Sequence, residues 1–171
     1  MGEMKPNIEI ERKYIIAMPD LDTLSRQAEY SKSEILQIYI RGVAGETHRI
    51  RRRVFEGTTV YTETRKIRID KISAREIEGV ISESRFFELA AEILDGTRPI
   101  NKIRHTFVYE YQLFEIDVYP DWQKTAIMET ELDSREKTVA PPSFLTVLRE
   151  VTGERAYSNA AMSREFPREI I

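Results

Sequence analysis

Charged side chains fall at every second position in one segment of this chain after another. Near the start, Glu9, Glu11 and Lys13 alternate with Ile8, Ile10 and Arg12, and the period of two of a β-strand aims the first three at one face. Two carboxylates set side by side repel unless a cation or basic groups neutralise them, so this face outlines a metal site. Ile8 and Ile10, on the opposite face, call for burial against an apolar neighbour. The spacing returns in Arg49, Arg51 and Arg53, in Thr64, Lys66 and Arg68, and in Glu76 and Glu78. It returns again in Lys102 and Arg104, in Glu115 and Asp117, and in Glu129 and Glu131. The residues between are often apolar, as at Ile50, Ile77, Ile103, Phe114, Ile116 and Met128, so these segments read as amphipathic strands whose polar faces carry both signs of charge.

On any single strand, such alternation ordinarily marks the solvated face of an antiparallel sheet. Cross-strand ion pairs would also explain opposite-sign rows, but exposed pairs contribute only about 0–1 kcal/mol each and do not account for repeated acidic doublets beside basic rows. The repetition favours a charged interior.

The chain has 171 residues, enough for one domain with a substantial core, and residues 1–171 read as a single domain with its core at about 7–163. It has no cysteine, which excludes disulfide staples and thiolate zinc sites and leaves oxygen ligands for any metal. A formal charge of -3 and a pI near 5.6 argue against a general DNA or RNA binder. A basic cavity inside an acidic exterior would select compact polyanions instead. No stretch approaches the ~18 apolar residues of a membrane span. The opening Met1-Gly2 lacks the apolar core of a signal peptide, Pro6 makes it a poor myristoylation signal, and Met4 is an alternative start. A soluble cytoplasmic protein is expected.

Along the chain, a first strand at about 7–16 precedes a helix capped by Asp20, with Leu21, Leu24 and Ala28 on one face. A second strand covers about 35–41, and strands at about 47–55 and 58–69 flank Glu56-Gly57 as a hairpin. After a strand at about 73–80, Ser82 caps a helix with Phe86, Leu89, Ala90, Ile93 and Leu94 as its apolar stripe, and Phe87 is expected in the core with them. Strands at about 100–110, 112–119 and 125–133 form a meander with Tyr111 in its first turn and Trp122 anchoring its second. A short helix is predicted after Pro141-Pro142, capped by Ser143, anchored by Leu145 and Leu148 and stopped by Gly153, followed by a loose tail from Ser163. His48 and His105 read as ordinary packing or surface residues. About eight antiparallel strands with these faces are satisfied by closure into a barrel with helices outside, giving an α+β fold with a charged tunnel.

The ordered set Glu9-x-Glu11-x-Lys13, Gln37-Ile-Tyr39, Arg49-Ile-Arg51, Thr64-Arg-Lys66, Arg75-Glu76-Ile-Glu78, Lys102-Ile-Arg104, Phe114-Glu115-Ile-Asp117 and Glu129-Thr-Glu131 resembles the CYTH domain of the triphosphate tunnel metalloenzyme superfamily. The segment from Glu150 to Asn159 is similar to one common in bacterial tripolyphosphatase-like members. Ile67 and Ile38 depart from the glycines frequent at those places.

The resemblance implies a closed eight-stranded antiparallel barrel and metal-dependent hydrolysis of a triphosphate, most directly inorganic tripolyphosphate. Class IV adenylate cyclase, thiamine or nucleoside triphosphatase and a noncatalytic polyphosphate sensor are the alternatives. Lys13, Arg49, Arg51, Lys66, Lys102 and Arg104 suit phosphate contacts, with Arg53 and Arg68 at the mouth. Glu9, Glu11, Asp117, Glu129 and Glu131 suit Mg²⁺ or Mn²⁺. Lys66 and Tyr39 resemble a catalytic pair of some members, and Glu131 joins them as a catalytic candidate. Glu76 and Glu78 would orient basic residues. The partner expected is a small triphosphate or polyphosphate; a homodimer is left open.

Overall fold

The computed structural model describes residues 5–170, so Met1, Gly2 and the alternative start at Met4 lie outside the described residues. The alternating segments form nine strands: β1 (Lys5–Ala17), β2 (Ala28–Tyr39), β3 (Thr47–Phe55), β4 (Thr58–Arg68), β5 (Ser73–Ile81), β6 (Ile100–Tyr109), β7 (Gln112–Val118), β8 (Thr125–Glu131) and β9 (Val147–Glu150). All pairings are antiparallel, in the order β5-β4-β3-β2-β6-β7-β8-β1. Pairing of β1 with β5 then closes an eight-stranded barrel. One edge of β1 meets β5 along residues 5–10 and β9 along 14–16, so β9 continues that edge outside the barrel. Closure through β5, with β9 pairing the stretch of β1 edge that β5 does not reach, lets rows of charged side chains lie inside without inviting another chain.

Turn chemistry sets the register. Glu56 and Gly57 (φ 47° and 76°) and Glu110 and Tyr111 (φ 47° and 63°) are consecutive left-handed pairs, the twist that suits two-residue hairpins. Asp20 caps α1 (Leu21–Ser25) through the Thr23 amide, and Ser82 caps α2 (Glu83–Ala90) through that of Arg85.

Three apolar clusters surround the charged interior. Leu24 of α1 packs with Tyr14, Ile16, Phe107, Phe114, Ile116 and Met128 on one outer wall, beneath Phe144 and Leu145. Phe86 and Leu89 of α2 cover Ile38, Ile40 and Ile50 on another. Inside one end, Ile15, Tyr39, Ile100, Tyr119, Trp122 and Ile127 meet Met162 of α3 (Asn159–Arg164) and form a plug. Each such side chain contributes about 1.5–3 kcal/mol on burial, which offsets charge buried elsewhere in the barrel.

Several expectations are corrected. The α1 helix ends at Ser25, and Ala28 belongs to β2. Helix α2 stops at Ala90, so Ile93 bridges to Ile40 instead of continuing the stripe. Phe87 is 57% exposed and Ile8 54%, because α2 turns only one face to the barrel and no described residue buries Ile8 on the outer surface of β1. The predicted helix after Pro142 is a turn followed by β9, where the free edge of β1 offers hydrogen bonds; Leu148 is exposed. Gly153 (φ 73°) follows β9, and a Cβ there would come within 2.7 Å of the Lys71 carbonyl oxygen. The tail is anchored: Trp122 Nε1 donates to the Pro167 carbonyl at 2.9 Å, Thr125 N donates to Glu169 at 2.7 Å, and Phe166 packs on the plug.

Candidate active site

Alternation along each strand turns one charged row inward, and the rows enclose a cavity of about 1370 Å³. This exceeds the roughly 300–1,000 Å³ of ordinary small-molecule sites. Glu9, Glu11 and Lys13 enter from β1, Tyr39 from β2, Arg49, Arg51 and Arg53 from β3, and Lys66 and Arg68 from β4. Glu76 and Glu78 enter from β5, Lys102 and Arg104 from β6, Glu115 from β7, and Glu129 and Glu131 from β8. Asp117 also belongs to the buried interior but does not line the cavity.

The basic side chains fall into two groups. On β6 they are already neutralised. Arg104 donates from Nε and Nη2 to the two oxygens of Asp117 at 2.7 and 2.8 Å, from Nη1 to Glu115 at 2.5 Å and from Nη2 to Glu129 at 3.4 Å. Lys102 donates to Asp117 at 2.7 Å with its side chain fully buried. Burial opposes the charge on Asp117, but Arg104 and Lys102 overcome it and hold the carboxyl well below the usual range. Burial pulls Lys102 down to about 7 despite Asp117, with Arg104 and Arg51 adding repulsion. Asp117, placed by the sequence among the metal ligands, accepts from Arg104 and Lys102 through its two oxygens.

On β3 no arginine makes a close ion pair among the described residues, although, against burial, Tyr39 and the more distant Glu76, Glu78 and Glu9 together hold the Arg49 cation above its usual range. Arg49 Nε and Arg53 Nε are buried without a hydrogen-bond partner, and Arg51 is held by an uncharged group, Gln37. Burial, then the charges of Arg49 and Arg104, push Arg51 down to about 9. Buried donors left unpaired cost free energy that a ligand acceptor would recover, so this wall fits an anion.

The carboxylates show the converse. Glu11 stands opposite Glu131 in the β1–β8 register, and Lys13 opposite Glu129. Burial and Glu129 push Glu11 up to about 7. Burial and hydrogen bonding to Glu9 push the more open Glu131 up to about 8. Glu9 is held low by Lys66 at 2.6 Å in spite of burial, and Glu129 is held at about 2 by Lys13, at 3.1 Å, and Arg104. An all-oxygen set that shares protons and lysines to relieve its own repulsion fits a hard divalent cation. Among the described residues no three such groups are gathered closely enough to enclose one, and Lys66 and Lys13 pair with Glu9 and Glu129.

Of the pair expected to be catalytic, Lys66 contacts Glu9 and, at 3.9 Å, Glu76, while the Tyr39 hydroxyl accepts from Gln37 Nε2 at 3.4 Å. Glu78 accepts from Thr64 at 2.8 Å. The sequence assigns no role to Gln37 or Thr64, nor to the stretch from Arg155 to Arg168, α3 included, that borders the cavity. The inward parity of Gln37 with Tyr39 and of Thr64 with Lys66 was the available signal. Lys13 Nζ also donates to the Tyr157 carbonyl at 3.2 Å, joining tunnel and plug. His48 lies at the cavity edge, 2.8 Å from Glu63, and His105 bonds Tyr30 at 2.9 Å.

A closed antiparallel barrel with basic and acidic rows facing a central cavity defines a class. The chain has the CYTH fold of the triphosphate tunnel metalloenzymes. Among solved structures, the inorganic triphosphatase NE1496 is 27% identical, with a TM-score of 0.59 over 94% of this chain and 97% of that one. The PH1819 protein from Pyrococcus horikoshii OT3 is 23% identical, with a TM-score of 0.57 over 75% of this chain and 80% of that one. No protein-family model matches the chain, and no curated protein matches it. No described helix is long and apolar enough to cross a membrane.

Proposed function

We propose that this chain is a metal-dependent triphosphatase that hydrolyses inorganic tripolyphosphate to phosphate and pyrophosphate. The observation carrying this reading is the pairing of two strained groups in one cavity: the β3 arginines with unpartnered donors, and Glu11 and Glu131, whose carboxyls burial and neighbouring glutamates push up to about 7 and about 8. Either group alone raises the free energy of the fold; a triphosphate and a divalent cation bound together relieve both. The likeness to the inorganic triphosphatase NE1496 supports the same reading. The enclosed cavity suits a compact polyanion better than DNA or RNA.

In this reading Glu9, Glu11, Glu129 and Glu131 would hold Mg²⁺ or Mn²⁺, and Asp117 keeps Lys102 and Arg104 in place. The cation, when bound, polarises phosphoryl oxygens and a water. Arg49 and Arg51 align the chain of phosphates, and Lys13 and Lys66 add point charge. Water attacks the terminal phosphorus and gives its proton to Glu131, the bond from that phosphorus to its bridging oxygen breaks, and Lys66 neutralises the departing pyrophosphate, with Tyr39 on the same cavity wall. The surroundings are preset, so the gain comes from positioning and charge rather than from covalent chemistry.

The test is release of phosphate and pyrophosphate from tripolyphosphate, ATP and thiamine triphosphate with Mg²⁺, Mn²⁺ or a chelator. Metal-dependent phosphate release, fastest from tripolyphosphate, is expected. Cyclic nucleotide and pyrophosphate from ATP would make the chain a cyclase, faster release from thiamine triphosphate or ATP would reassign the substrate, and tight binding without turnover would make it a sensor.

A further inference from the structure

Arg51 and Arg104 both point into the tunnel, but their charges are treated oppositely. Three carboxylates grip Arg104. Arg51 donates from Nε and Nη2, at 3.0 and 2.6 Å, to the single amide oxygen of Gln37. Gln37 is fully buried on β2, directly across the strand pair from Arg51, and its Nε2 is directed to the Tyr39 hydroxyl at 3.4 Å. A glutamate has nearly the same size and would accept both Arg51 hydrogens while cancelling the charge. The amide accepts them and cancels nothing. Burial and the charges of Arg49 and Arg104 oppose the Arg51 cation and outweigh the attraction of Glu78 and Asp117, so an uncharged partner leaves standing a cost that direct ion pairing would reduce.

We propose that Gln37 is a positioning residue for substrate binding, which locks the Arg51 guanidinium in place while leaving its positive charge uncancelled for a phosphate oxygen. The inference rests on the triphosphate reading of the tunnel and adds a division of labour to it. The β6 cations shape the wall in a neutralised cluster, and Arg51 supplies net charge to the ligand. Tyr39 is tied into the same arrangement through Gln37 Nε2, so the amide uses a donor that a carboxylate would lack.

Two variants separate orientation from charge. Gln37→Glu keeps an acceptor and adds a negative charge; Gln37→Met keeps the length and removes the acceptor. Tripolyphosphate binding is measured calorimetrically in chelator at several salt concentrations, KM and kcat by phosphate release with Mg²⁺, and unfolding temperature without ligand. Gln37→Glu is expected to weaken binding about tenfold or more, with a shallower salt dependence, since one cation fewer faces the ligand. KM should rise by more than kcat falls, and the unfolding temperature should hold or increase. Gln37→Met should weaken binding several-fold with the salt dependence retained. Wild-type affinity in Gln37→Glu, or a parallel fall of affinity and unfolding temperature in both variants, overturns the proposal. If Gln37→Glu fails to fold, Gln37→Met decides: several-fold weaker binding supports the role, and unchanged binding overturns it. A wild-type chain that does not bind tripolyphosphate with or without Mg²⁺ refutes the triphosphate reading itself.

Discussion

Replacing Glu11 by glutamine is expected to make the metal-free protein more stable above neutral pH while removing its response to divalent cations. Burial and the neighbouring Glu129 raise the Glu11 carboxyl from 4.5 to about 7. At about 1.36 kcal/mol per pH unit between those values, forcing the group to ionise costs the fold up to about 3 kcal/mol, less whatever solvent in the tunnel screens. The sign follows from linkage: an acid whose folded pKa is raised supports the fold below its unfolded pKa and loses that support as pH rises through 4.5 toward 7. At about pH 8 the wild type therefore bears the whole cost and the Glu11→Gln variant none, whereas at about pH 5 the difference shrinks to a small fraction. For a chain of this length about 1 kcal/mol corresponds to roughly 2–4 °C, so thermal unfolding in chelator at about pH 8 should shift upward by about 3–10 °C. Adding Mn²⁺ should raise the wild type toward or past the variant and move the variant much less. A Glu11→Gln protein that melts below wild type at alkaline pH, or whose advantage is equal at both pH values, would refute the electrostatic reasoning.

Asp117→Asn should be strongly destabilising, by about 3–5 kcal/mol in urea unfolding, because it leaves buried Arg104 and Lys102 without their shared carboxylate. Arg49→Ala, on the wall with unpartnered donors, should raise KM for tripolyphosphate about tenfold or more while leaving unfolding temperature near wild type; an unchanged KM would move the phosphate site elsewhere. Ile127→Ala in the plug should cost about 2–5 kcal/mol of stability, read from chemical unfolding, since Ile127 is 1% exposed and packed among Ile15, Tyr119 and Met162.

The barrel was legible because its information is local and repeated. Parity alone sends Arg49, Arg51, Lys66, Lys102 and Glu129 to one side of their strands, and closure makes that side common. The Glu56-Gly57 turn and the Asp20 and Ser82 caps were legible for the same reason: each depends on a few adjacent residues. What escaped depends on distant partners. Val147 to Glu150 is exposed at every position and becomes a strand only because β1 presents an edge there, while Ser143, Leu145 and Leu148 gave a misleading helical spacing. The anchoring of the tail needs Trp122 and Thr125, far away in sequence. Helix α3 did carry a local signal, Ser158 capping the amide of Ala161 ahead of Met162, overshadowed by the expectation of a helix just upstream.

Within the cavity, sequence parity sent the charged rows inward but could not rank them. Asp117 and Glu129 both face the interior, yet one is saturated by cations and the other lines the cavity. Arg51 and Arg104 likewise read alike in the sequence, and only cross-strand neighbours, Gln37 for one and Asp117 for the other, separate an available charge from a cancelled one. The pattern of compensated and uncompensated groups, rather than their number, is what makes the tunnel read as a site for an anion and a cation together.

The central claim is tested most directly by following tripolyphosphate in the presence of Mg²⁺ or Mn²⁺ and adding chelator midway. Phosphate and pyrophosphate are expected to appear in equal amounts and to stop appearing when the cation is removed; no release above the protein-free blank with either cation, or release indifferent to the chelator, would contradict it.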